Sequence, residues 1–196
     1  MVYGHFPGEY WRDAYNISRG ARVITTCELP AAALLRKYCV SGTHTDCYTT
    51  EISGAVSQAE YVEAFYTTWV FKLERWLLAQ FVSRPSTDSQ AKALASGTLS
   101  SFAAWTVEDR LTDQLLLCDF QGRTRSWLMS VVATNDATTS TRLYFGSAVV
   151  PVTHPKSGQK AMGFVFRALL GFHKLYSRVL LRAAVARLHR DRPARS

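Results

Sequence analysis

No stretch of this sequence holds the ~20 consecutive apolar residues that a membrane-spanning helix needs, because Arg167, Lys174, Arg178, Arg182 and Arg187 interrupt the longest oily segment. The opening MVYGHFPGEYWRDAY lacks both a basic n-region and an apolar h-region, which argues against a secretory signal and for the cytoplasm. Cysteine is scarce. Cys27, Cys39, Cys47 and Cys118 form no C-x-x-C pair and have no histidine at ligand spacing, so reduced thiols and no metal centre are expected. Cys118, inside LLLCDF, reads as a small buried hydrophobe and not as a nucleophile. His5, His44, His154, His173 and His189 include no i, i+4 pair and no nearby carboxylate cluster. Gly122 and Gly146 are isolated, so no loop cradles phosphate, and Ser147 sits inside an alternating strand instead of at a strand-to-helix elbow. No cofactor is expected.

What remains is a chain of 196 residues, 47% hydrophobic and 12% aromatic, enough to bury a core as one domain spanning 1–196. Its first twenty residues, broken by Gly4, Pro7, Gly8 and Gly20, read as an irregular arm, and 190–196 as a basic tail. The net charge of +8 resides at the C-terminus, where nine Lys and Arg from Lys160 onward face one acid, Asp191. The body is neutral. At about 100° per residue, Arg167, Lys174, Arg178 and Arg182 share one sector while Phe166, Leu169, His173, Tyr176 and Leu180 lie opposite.

Along the chain, RVITTCE reads as a short strand, PAAALLRKY as a helix opened by proline, and CYTTEISGAV as a second strand. Ser57 and Glu60 form a capping box before a helix predicted over Gln58–Phe81, which Arg84-Pro85 ends. Ser86, Thr87 or Asp88 caps a shorter helix that stops at Gly97. From Ser101 the period changes to two, giving four antiparallel strands, SFAAWTVED, QLLLCDF, RTRSWLMSVVAT and TRLYFGSAVVPV. A long helix from about Ala161 closes the chain. The fold class is therefore α+β, an antiparallel β-sheet covered on one apolar face by a long C-terminal helix, with two helices inserted before the main meander.

This order, with the stretches PSTD at Pro85, FAAWTVEDR at Phe102, LLLCDFQGRTRSW at Leu115, LYFGSAVVP at Leu143 and LLGFHKLYSRVLL at Leu169, resembles the START-like (SRPBCC) superfamily, and within it a bacterial family of unknown function. The resemblance implies a helix-grip fold, a curved sheet holding the helix around an apolar cavity for a hydrophobic or aromatic small molecule. A cofactor-independent cyclisation, dehydration or isomerisation would suit such a cavity.

His173 and Tyr176 share the apolar side of the helix and form the candidate proton-transfer pair, because burial disfavours the imidazolium. The alternative is a core histidine bonded to a carbonyl or to Tyr176. Arg123, Arg125, Trp127 and Met129 share one face of their strand. If Trp127 faces inward, Arg125 reaches the cavity rim and holds a ligand carboxylate; otherwise it lies outside, paired with Asp119 or Glu108. Trp105, Phe166 and Leu169 complete the expected ligand-lining set. Asp88 reads as an N-cap. The arginine stripe lacks interleaved aromatics to stack bases, which argues against nucleic acid; it reads as a solvated face, with a weak contact to an anionic membrane as the alternative role.

Overall fold

A computed structural model describes residues 23–40, 43–72, 86–135, 138–150 and 162–191, with the backbone alone over 162–175. Strand β1 (Thr25–Thr26) precedes a 3-10 helix (Leu34–Tyr38) and strand β2 (His44–Ser53). Helices α1 (Gln58–Tyr66) and α2 (Asp88–Ala95) follow. The meander comprises β3 (Ser101–Phe102), β4 (Trp105–Arg110), β5 (Gln114–Asp119), β6 (Thr124–Asn135) and β7 (Thr138–Val149), and α3 (Met162–Arg190) closes the chain. All seven strands form one antiparallel sheet in the order β1-β2-β7-β6-β5-β4-β3. The architecture is thus α+β with a C-terminal helix. Among the described residues, no helix is long and apolar enough to cross a membrane.

The capping box at Ser57 and Glu60 forms, but the helix it starts is shorter than its periodicity predicts. Thr67 Oγ1 donates to the Glu63 carbonyl at 2.6 Å, and Thr68 Oγ1 to the Phe65 carbonyl at 3.0 Å. The Glu63 carbonyl keeps its helical bond from Thr67 N at 3.1 Å, whereas at Phe65 the Thr68 hydroxyl occupies the carbonyl that the next turn would use. Thr68 Oγ1 then accepts from Phe71 N, and residues 69–72 begin a new turn. The break swings Trp69 outward, to 71% exposure. The remainder of the predicted span, 73–81, lies outside the described residues. The cap of α2 is Thr87, with Gln90 completing the box, whereas Asp88 pairs with Lys72. SFAAWTVED folds as two strands, β3 and β4, around Ala103 at φ 53°.

One face of the sheet receives α1, α2 and α3. Tyr48, Ile52, Leu115, Leu117, Leu128, Leu143 and Phe145 from the strands pack there with Leu180, Leu181, Ala184, Val185 and Leu188 of α3. Their spacing along α3 follows the i, i+3, i+4, i+7 stripe. An aromatic group, Phe65, Tyr66, Phe71, Phe102 and Phe145, fills the space beneath α1.

The second face is covered too, against the expectation of a single covered side. Leu116, Trp127, Met129, Cys47 and Ala148 lie under Ala33 and Leu35, with Leu29, Leu34 and Tyr38 alongside. Burial on both faces accounts for the unbroken LLLC run of β5, which alternation alone does not. Gln114 ties the cover down: its Oε1 accepts from Leu34 N and Trp127 Nε1, each at 2.9 Å, and its Nε2 donates to the Ala32 carbonyl at 3.0 Å. Gly146 makes the fit close. A Cβ there would lie 2.9 Å from both Leu35 Cδ2 and Trp127 Cε3.

Candidate functional site

At the end of the sheet where β2 and β6 begin and β7 ends, the α3-facing side turns polar. Register sets Asp46 of β2 opposite Ser147 of β7, and Ser147 opposite Ser126 of β6. Ser147 donates to Asp46 Oδ1 twice, from its hydroxyl at 2.5 Å and its backbone N at 3.1 Å. Tyr66, carried by α1, brings its hydroxyl to 3.2 Å from Ser126 Oγ. A row of oxygen groups therefore crosses three strands at this end of the face.

Alternation puts His44 and Tyr48 on the same face as Asp46. The guanidinium of Arg178 on α3 lies 5.6 Å from the Tyr48 ring centre, a cation–π contact. Burial, reinforced by the Asp46 carboxylate and opposed by Arg178, pushes the Tyr48 phenol up to about 12, so it remains a neutral donor at physiological pH. Three of the buried polar atoms without a hydrogen-bond partner lie at this end: His44 Nε2, Asp46 Oδ2 and Trp105 Nε1. They include an acceptor, a donor and an imidazole nitrogen able to serve as either. No family model, curated protein or solved structure matches this chain.

Of the residues singled out by sequence, Tyr176 packs at the edge of the α3-side core, and Trp105 joins the same core from β4. His173, Phe166 and Leu169 lie on the backbone of α3, and their side chains are outside the described residues. Arg125 and Trp127 occupy the opposite face of the sheet from α3. Of the two placements open to this pair, the structure shows the one away from the helix, with Arg125 bound to Glu108: β6 directs Leu128 and Ser126 toward α3, and alternation sends Arg125 and Trp127 to the side covered by 29–38. Among the described residues, no three His, Cys, Asp or Glu side chains are placed to hold a metal ion. On the arginine stripe, Arg178 and Arg182 are exposed, whereas Arg187, further along α3, donates to the Thr67 carbonyl and pairs with Asp191.

Arg125 belongs to a clamp. Its Nε lies 2.8 Å from Glu108 Oε2 and 2.9 Å from the Tyr38 hydroxyl, which itself donates to Glu108 Oε1 at 2.6 Å. Lys37 adds an ion pair to Glu108 at 2.8 Å. Burial works to raise the Glu108 pKa, but the hydrogen bonds from Lys37, Tyr38 and Arg125 outweigh it and hold the carboxyl below its usual range. A carboxylate with a depressed folded pKa stabilises the fold above its unfolded pKa, ~4.3, and loses that contribution as pH falls through the folded value. Glu108→Gln is expected to cost about 1–3 kcal/mol at pH 7. Urea titrations of both proteins should show the difference shrinking below about pH 4; a pH-independent difference would assign the loss to packing instead.

Asp46, Ser147, Ser126, Tyr66, Tyr48 and His44 escaped the sequence reading. A signal existed, since His44 and Asp46 occupy the inward positions of a strand whose continuation, Tyr48, Thr50 and Ile52, is buried. Polar residues at core positions are errors in a fold unless something uses them.

Proposed function

We propose that the protein binds a hydrophobic or aromatic small molecule bearing a polar substituent, between the polar end of the sheet and α3. The observation that carries this reading is the set of unpartnered atoms, His44 Nε2, Asp46 Oδ2 and Trp105 Nε1. Leaving a buried donor or acceptor unsatisfied costs about 1–3 kcal/mol, and few such groups persist in a native core. A hydroxylated aromatic ligand would donate to Asp46 and rest its ring against the apolar strand residues.

The helix-grip arrangement is part of the same reading. Its supports are the pairing of β2 with the last strand, the helices inserted between β2 and β3, and a terminal helix lying over β2 and β7. His173, seven residues before buried Leu180, shares its helical stripe by phase and would join the site as a proton acceptor or donor. A proton transfer between His173 and a ligand hydroxyl is the cofactor-independent chemistry the arrangement would favour.

Titration with 2,3-dihydroxynaphthalene, followed by tryptophan fluorescence and by melting temperature, tests the reading. Saturable binding that raises the melting temperature is expected. Asp46→Asn keeps the Ser147 contact through its carbonyl oxygen but replaces the free acceptor with a donor, and should weaken binding about tenfold, the equivalent of one charge-assisted hydrogen bond. His173→Phe should fold and also bind less tightly. Absence of saturable binding, or affinity untouched by both replacements, would overturn it.

A further inference from the structure

We propose that Cys27 and Cys47 form a reversible disulfide that staples the segment carrying Ala33 and Leu35 over the second face of the sheet. The register of β1 on β2 pairs Thr25 with Thr49 and Thr26 with Tyr48, which brings Cys27 directly opposite Cys47. Cys27 N donates to the Cys47 carbonyl at 3.0 Å, continuing the ladder one residue past β1. Directly opposed residues of this hydrogen-bonded kind have Cα atoms about 5.5 Å apart, inside the range that a disulfide bridges. The side chains point together: the sulfurs are 3.0 Å apart, and both belong to the packing under residues 29–38. On its other flank Cys47 faces Gly146, which has no side chain to obstruct it.

The two thiols are unequal in the way that exchange chemistry uses. Cys27 is half-buried and Cys47 fully buried, so an incoming reagent meets Cys27 first. The contact with Cys47, against burial and with help from Arg142, holds the Cys27 thiol below its ordinary pKa, whereas the same contact and burial push Cys47 up. The oxidant is a low-molecular-weight disulfide, RSSR. The Cys27 thiolate attacks one of its sulfurs, the S–S bond breaks and RS⁻ leaves, taking up the proton Cys27 gave up. Cys47 then loses its proton and attacks Cys27 Sγ in the mixed disulfide, expelling the second RS⁻, which takes that proton. Two protein thiols are oxidised to one disulfide, and RSSR is reduced to two RSH.

The closed loop would contain the 3-10 helix with Leu35, so the oxidised chain should hold its cover more firmly. The test incubates the full chain with oxidised glutathione, alkylates remaining thiols in denaturant and maps the peptides by mass. A peptide joining Cys27 to Cys47, two hydrogens lighter than its reduced halves, is expected. The melting temperature should rise by roughly 5–10 °C and fall back on adding dithiothreitol. Cys27→Ser should abolish the link and the shift, while Cys39→Ser/Cys118→Ser should keep both. Recovery of Cys27 and Cys47 as alkylated thiols, a stable glutathione adduct on either, or a link through Cys39 or Cys118 would overturn the proposal.

Discussion

Trp127→Ala is expected to destabilise the fold by about 3–5 kcal/mol, the range for emptying a fully buried large aromatic site. The indole is completely buried although it faces away from α1, α2 and α3. Its loss opens a cavity between β6 and the 29–38 segment and removes one of the two donors on Gln114 Oε1. Trp127→Phe should cost less, because most of the ring remains and the main deficit is one hydrogen bond of about 1 kcal/mol. Urea denaturation with a common slope would measure both. A loss below about 1 kcal/mol for Trp127→Ala would mean that the second face is not closed in solution.

Leu35→Ala should remove about 2–5 kcal/mol for the same reason from the opposite side. Leu35 is fully buried by a short 3-10 helix that has no side-chain N-cap, so its anchorage comes from packing and from Gln114. Leu35 and Trp127 press on the same backbone position, Gly146, and their replacements should therefore not add. The double variant is expected to lose less than the sum by about 0.5–3 kcal/mol. Strict additivity would show that the two side chains are packed independently.

The elements were legible where local chemistry sets them. The Ser57/Glu60 box, the change of period at Ser101 and the stripe of α3 each lie within a few residues, and each appears in the structure. The break at Thr67–Thr68 was not legible, because hydroxyls bonding back to carbonyls leave no mark on hydrophobic periodicity. The facing of Trp127 was equally hidden. An alternating strand tells which residues share a side, not which layer covers that side, and here each side has its own. LLLC of β5 held the clue, since a strand apolar on both faces needs two covers. The polar row depends on register between Asp46 and Ser147, 101 positions apart, a relation no local pattern contains.

The attachment of Leu34 and Ala32 to Gln114 spans 80 and 82 positions, and this separation imposes an order on assembly. Residues 27–38 leave the ribosome early, but the surface they dock on is absent until β5, β6 and β7 have been made. At typical synthesis rates of about 5–20 residues per second, that interval lasts on the order of 5–20 s. During it Leu35 and its neighbours have no sheet to pack against, and closing so long a loop is entropically slow. The second face can therefore seal as soon as β7 is made, whereas the first still waits for Leu180–Leu188 of α3, so the early segment has its docking surface before the sheet has its last helix.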